Sequence, residues 1–287
     1  MTSKLSRRWT KAQSLEKASV GTDEDVRIWI DSRRKTWADL AGIVVKYIDL
    51  NENSRILDVG CGPTSIFLGI RTGRKFAVDP DIGNILREHP FLKNLPEYAD
   101  VKFVSSPIEY FTREKFNAIF MINMLDHVDR LSAVRTKLDN LLEPGGWIVV
   151  VVDCYDETRV KRIMEVFDVD LPHPHHFGVS DVSHLFWPYD ELANISVEAL
   201  FDRYTFRGEK RSIDIWRIDK LLSRMILHTI YEGGRPQGVV FTLKYFTCYS
   251  LALLVALFGA RKWPIHPLKK PRLLIFKKPL PTSTLTS

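Results

Sequence analysis

The sequence predicts an α/β protein: a doubly wound, mostly parallel, seven-stranded sheet with a helical segment inserted near the C-terminal end. Three observations predict it. Short apolar runs alternate with amphipathic helical stretches, the pattern of successive βαβ units. The run FNAIFMINML (Phe116 to Leu125) is almost wholly apolar, as in a strand covered on both faces. The first strand runs straight into DVGCGPT, a glycine turn where an open parallel sheet would bind a ligand.

Each element has a local reason. TDEDVRIWIDSRRKTWADLAGIVVKYI opens with Thr22 and Asp25 at capping-box spacing, and Ile30, Trp37, Ala41, Val44 and Ile48 then form a helical stripe. NENS breaks the pattern, and RILDVG is the first strand. KFAVDP is the second, followed by a helix over IGNILREHPFLKNL that His89-Pro90 interrupts, because a residue before proline avoids the helical region. VKFVSS is the third strand and FNAIFMINML the fourth. A helix over DRLSAVRTKLDNLL ends at Pro144-Gly145-Gly146, and Trp147 to Asp153 is the fifth strand. ISVEALFDRYTF is predicted as the sixth strand and RLLIFKK as the seventh. The expected divisions are a helical lid over 1–50, a nucleotide-binding core over 51–207, a helical insertion over 208–270, and a last strand and tail over 271–287.

A chain of 287 residues buries a full core. Cys61, Cys154 and Cys248 are widely spaced and show neither a disulfide framework nor zinc-ligand spacing, so a reducing, cytoplasmic setting is expected. The N-terminal stretch lacks the apolar core of a secretory signal. The net charge of +6 is segregated: from Gly233 onward there are nine basic residues and no acidic one, which leaves the preceding chain at −3. No basic stripe surrounds the glycine turn, so a nucleic-acid partner is not expected.

What the turn binds follows from its residues. Gly60 and Gly62 let the backbone approach a ligand closely. Asp79, ending the second strand, can accept hydrogen bonds from both hydroxyls of a ribose. A dinucleotide fingerprint would place a third glycine where Ser65 stands, and Pro63 removes a backbone donor that a phosphate would use. The acid before the turn, Asp58, suits a cationic ligand. A sulfonium nucleoside with an amino-acid tail matches all of these features.

ILDVGCGPT, AVDP, AIFMINMLDHVD and LLEPGGWIVVV stand in an order and spacing that resembles the class I S-adenosylmethionine-dependent methyltransferases. The resemblance covers Trp29 to Tyr155 well and the last strand loosely. It is nearest the type 11-like branch of quinone and glycan-cluster methyltransferases, whose N-terminal lid RRWTKAQSLEK also resembles. It implies S-adenosyl-L-methionine as cofactor. Gly60, Cys61 and Gly62 would pass along its methionine part, Asp58 would hold the amino end and Asp79 the ribose. Asn123 and Met124 would lie beside the transferable methyl. Relatives often carry an acid after the third strand for the adenine amino group. Ser106 and Pro107 stand there instead, with Glu109 displaced by two or three positions.

Methyl transfer needs alignment and exclusion of water, and a general base only when the acceptor must lose a proton. His127, after the fourth strand, and His175 and His176, in LPHPHHFGVSD, are the candidate catalytic residues. Their structural alternatives are a helix cap at Asp126 with His127 packed beneath it, and a rigid turn fixed by Pro172 and Pro174. No metal is expected, because the sequence supplies no evident carboxylate or thiolate partner for the histidines. Tyr245 to Ala260 carries no charge; as a helix it would measure about 24 Å, short of a ~30 Å hydrocarbon core. With the basic residues that follow, residues 239–278 suit peripheral contact with an anionic membrane. The expected partner is a small-molecule or lipid-linked acceptor. The competing expectations are a nicotinamide-dependent oxidoreductase and a non-catalytic adapter that retains the cofactor.

Overall fold

The computed structural model describes residues 21–156, 158–167, 173–201 and 269–281, with isolated positions 243, 246, 247 and 250 between the last two spans. The expected lid residues before 21, nearly all of the 208–270 insertion and most of Tyr245 to Ala260 lie outside the described residues.

The chain opens on helix α1 (Asp23–Val44), whose first turn is closed by the predicted capping box: Asp25 N–H donates to Thr22 Oγ1 at 3.3 Å and Thr22 N–H to Asp25 Oδ2 at 2.9 Å. Ile30, Trp37, Leu40, Ala41 and Val44 bury its inner stripe. Strands β1 (Arg55–Val59) and β2 (Arg74–Asp79) follow. Helix α2 (Ile82–Glu88) stops before Pro90, where a 3₁₀ turn takes over, as the His89-Pro90 pair predicts. Then come β3 (Val101–Ser105), β4 (Phe116–Ile122), α3 (Leu131–Leu141) and the long β5 (Leu142–Tyr155). Helix α4 (Thr158–Phe167), the two-residue strand β6 (Phe177–Gly178), α5 (Val179–Leu185), β7 (Asp190–Ser196), α6 (Glu198–Phe201) and β8 (Lys269–Lys277) complete the described chain.

The sheet has eight strands rather than seven, in the order β3-β2-β1-β4-β5-β8-β7, with β6 pairing β5 off this path. The extra strand, β6, is too short for an apolar alternation to reveal. The sixth predicted strand is also corrected: the chain pairs over Asp190–Ser196 and turns helical at Glu198, so the strand lies earlier than ISVEALFDRYTF. It is an edge strand with Asp190, Glu191 and Leu192 exposed, so its first half carries no apolar pattern. Strands β1 to β6 pair in parallel, while β8 runs antiparallel between β5 and β7.

Two apolar layers cover the sheet. On one face α1 packs with Ile56, Ala77, Phe120, Val149, Val151 and Ile275; on the other α3 and α5 pack with Leu57, Val59, Ile119, Val150 and Leu274. Strand order reverses between β1 and β4, so their carboxyl ends flank the crevice where such sheets bind ligands. Beyond Ile122 the chain of β4 leaves β5, and β6 pairs with the end of β5 at Cys154 and Tyr155. That succession carries the histidine-rich segment to the carboxyl edge beside the turn after β4.

Candidate active site

The glycine turn is built by contacts from four parts of the chain. Gly60 adopts φ +73°, and a Cβ there would lie 2.6 Å from the Met124 Cβ, so β1 and β4 meet as closely as glycine permits. Gly62, at φ +49°, would direct a Cβ into open space. Asp58 is buried at the end of β1, where its Oδ2 accepts from the Ser65 hydroxyl at 2.6 Å and from Ile66 N–H at 3.1 Å. Asp79 Oδ2 accepts from Gly62 N–H at 3.2 Å, while its Oδ1 accepts from Asp81 N–H at 2.8 Å. Trp37 of α1 donates its indole N–H to the Thr64 carbonyl at 2.7 Å. The Tyr98 hydroxyl donates to the Pro63 carbonyl at 3.0 Å and accepts from Ser65 N–H at 2.9 Å. The turn therefore holds its shape with the Gly62 side left open.

Electrostatics give the turn a sign. Burial, partly offset by the bonds from Ser65 and Ile66, pushes the Asp58 carboxyl up to about 6, and the charge of Asp79 pushes it in the same direction. Two acids thus crowd one turn. Cys61 is buried and its thiol is pushed upward, first by burial and then by both carboxylates, which makes it a packing residue and not a nucleophile.

The remaining cofactor-side candidates, Ser106, Asn123 and Met124, follow the ends of β3 and β4. Ser106 N–H donates to the Asp79 carbonyl at 3.2 Å, which ties the segment after β3 to the end of β2. Asn123 has φ +52°, the left-handed region that asparagine tolerates better than most residues, and its N–H donates to the Val151 carbonyl at 2.8 Å. This reversal ends β4 and directs the chain into Met124.

The acceptor-side candidates divide. A 3₁₀ turn over Leu125–His127 follows Met124. Asp126 does not cap the next helix: α3 begins at Leu131 with Arg130 as its N-cap residue. Asp126 is buried instead, with Oδ1 3.7 Å from His127 Nε2 and Oδ2 3.9 Å from His173 Nε2, and the two imidazole rings stand 4.7 Å apart. The carboxylate partner that the sequence does not supply for its histidines is therefore Asp126. Burial raises its carboxyl, but the charges of His127, His173 and Lys269 outweigh this and leave it below the ordinary carboxylate range. The His175 ring meets the Val128 carbonyl through Nε2 at 2.8 Å, and the His175 backbone N–H donates to the Asp126 carbonyl at 3.3 Å. His176 Nδ1 stands 3.3 Å from the Tyr155 hydroxyl. His175 and His176 also line a cleft of about 510 Å³ with Lys161, Asp181 and His184. His127 is thus gathered with Asp126 and His173, while His175 anchors the segment and His176 faces β5.

Sequence reasoning missed Trp37 and Tyr98 as turn supports, because nothing in their local pattern separates them from ordinary core aromatics. The Asp126–His127 pair and the His173-Pro174-His175 run were the available signal for the acidic–histidine cluster.

A family model described as "Methyltransferase domain" matches residues 31–195. Sterol 24-C-methyltransferase of Candida albicans is 26% identical over 141 residues, which cover 43% of this chain and 35% of that protein; the chain thus spans about a third of the length of that curated relative. Among solved structures, phosphoethanolamine N-methyltransferase 2 of Haemonchus contortus, in complex with S-adenosyl-L-methionine, superposes with a TM-score of 0.56 at 11% identity, covering 91% of this chain and 58% of that one. The YcgJ protein of Bacillus subtilis superposes with a TM-score of 0.53 at 14% identity, covering 83% of this chain and 97% of that one. At such identities the two superpositions speak for the fold.

Proposed function

Because the chain belongs to the methyltransferase-domain family, we propose that it transfers the methyl group of S-adenosyl-L-methionine to a small-molecule or lipid-linked acceptor. The observation that carries this is the pair of acids at one glycine turn. Burial first, and the charge of Asp79 after it, raises the Asp58 carboxyl; with two carboxylates at one turn an anionic pyrophosphate would meet repulsion, and a sulfonium with an ammonium tail relieves it. That disfavours a nicotinamide cofactor.

In this reading Asp79 holds the ribose, and the Gly62 face takes the methionine part of the cofactor. Asp58 fixes the turn through Ser65 and Ile66 and supplies negative charge for the amino end. Asn123 and Met124 border the methyl group. Displacement at the methyl carbon needs the acceptor in line and water excluded, which rigid positioning supplies. Where the acceptor is a hydroxyl, His127 beside the anionic Asp126 takes its proton. The uncharged Tyr245 to Ala260 stretch and the basic residues after it support an acceptor met at a membrane surface, and the similarity to a sterol methyltransferase supports a lipid-like one.

Calorimetry tests the cofactor assignment. Wild type should bind S-adenosyl-L-methionine and ignore NADH, and Asp79→Ala should weaken binding about tenfold or more, the size of a lost charge-assisted hydrogen bond. Binding of NADH alone would sink the proposal. Incubation with labelled cofactor and cell extracts, read by mass spectrometry for the gain of one CH₂, identifies the acceptor. Tight cofactor binding with no methylated product would favour the adapter.

A further inference from the structure

Asp126, His127 and His173 form a cluster in which the candidate base is only one of three ligand-type groups. One ligand-type atom from each lies within 4.8 Å of the other two. The donor set is two imidazoles and one carboxylate, a combination that binds divalent transition cations and leaves coordination positions open. The Asp126 side chain is more than nine-tenths buried, and among the described residues its Oδ1 accepts no hydrogen bond. A buried carboxylate oxygen left in that state carries a desolvation cost that a bound cation would remove.

The geometry is that of an open site. Ligand atoms bonded to zinc at ~2.0–2.2 Å stand about 3.3–3.6 Å apart when arranged tetrahedrally. The Asp126 contacts, 3.7 Å through Oδ1 and 3.9 Å through Oδ2, are wider, and the three ligand atoms as a set are held only to within 4.8 Å, so the two rings must draw in toward the carboxylate to close on an ion. The second layer is also in place. His175 fixes the segment to the turn after β4 through two bonds, one to the Val128 carbonyl and one to the Asp126 carbonyl, and so sets His173 two residues earlier.

We propose that Asp126, His127 and His173 bind a divalent transition cation of the zinc–cobalt–iron class, held by three protein ligands beside the end of β4. With three ligands, at least one position remains for water or an acceptor oxygen. The test is binding alone and does not depend on methyl transfer; with a cation bound, His127 would be a ligand and not the base, and a hydroxyl acceptor would give its proton to a cation-bound hydroxide instead.

Untagged full-length protein, stripped with a chelator, should retain one zinc ion per chain through gel filtration after reloading. With Co²⁺ it should show a visible d–d absorption band. His173→Ala and His127→Gln should each lose the band and weaken zinc binding about a hundredfold, with the fold checked by circular dichroism. His173→Asp, which keeps a donor atom, should recover part of the affinity. Failure of intact protein to retain zinc would overturn the proposal, and would mean that Asp126 serves only to orient the two rings. Equal retention by folded His173→Ala and His127→Gln would also overturn it, because the ion would then be held elsewhere.

Discussion

Gly60 and Gly62 stand two residues apart and fail differently when changed. Alanine at Gly60 meets Met124 at 2.6 Å and a left-handed backbone together, so Gly60→Ala should lower thermal stability by ~2–4 kcal/mol and disturb the site through β4. Gly62→Ala carries only the left-handed cost of ~1–2 kcal/mol, because its methyl enters open space. It should stay folded and lose cofactor affinity about tenfold or more, since that space is where the proposed reading brings the ligand in. Melting curves with and without S-adenosyl-L-methionine separate the two outcomes; a Gly62→Ala protein with full affinity would move the cofactor away from this turn. Asp58 adds a pH dependence. Its carboxyl is held at about 6 when folded against 3.8 for the free group, so between these values the native state binds the extra proton. Stability from this residue is therefore full below pH 4 and lost as pH rises through 6, by up to ~3 kcal/mol. Asp58→Asn should flatten that stretch of the stability profile in denaturant titrations, and saturating cofactor should flatten it in wild type.

Helix α1 does more than cover the sheet. Gly69, after the 3₁₀ turn Ile66–Leu68, would place a Cβ 2.3 Å from the Trp37 carbonyl, so helix and turn touch backbone to backbone. Gly69→Ala should push α1 outward, cost ~2–3 kcal/mol in urea denaturation, and weaken cofactor binding, because Trp37 then releases Thr64. Trp37→Phe should lose the smaller sum of one buried hydrogen bond, ~1–2 kcal/mol. The stripe and capping box that make α1 legible in the sequence are local, as is the doubly covered run that marks β4. The glycine turn and Asp79, which meet through the Gly62 N–H, were legible for the same reason: turn and strand end each carry their own signal. β7 was misplaced because its exposed half has no apolar alternation, and β6 because two residues carry no period. The support from Tyr98 and the meeting of His173 with Asp126 depend on strand order, which no local pattern states.

At the scale of the molecule, charge divides the chain. The stretch after Gly233 holds nine basic residues and no acidic one, although Lys270 pairs with Asp156 at 2.9 Å, whereas the preceding chain is net negative. Each Lys or Arg near anionic lipid contributes about 1 kcal/mol, a contribution that salt screens. The protein should therefore pellet with anionic liposomes, less with neutral ones, and be partly released by high salt. Leu253, Leu254 and Leu257 changed together to Ser should weaken attachment and spare cofactor binding. Equal partitioning with and without liposomes would remove the membrane from the reading, and resistance to both salt and alkaline carbonate would replace surface contact with a span. No helix among the described residues is long and apolar enough to cross a membrane. The position of β8 has a consequence in time. It lies between β5 and β7, yet roughly seventy residues separate Ser196 from Lys269. At ribosomal rates of ~5–20 residues per second, the nascent chain carries an open β5 edge for several seconds before its partner is made. During that interval the unpaired edge is a template for any other extended segment nearby. Newly made copies on a crowded polysome thus depend on holding that edge apart until translation has passed Lys277.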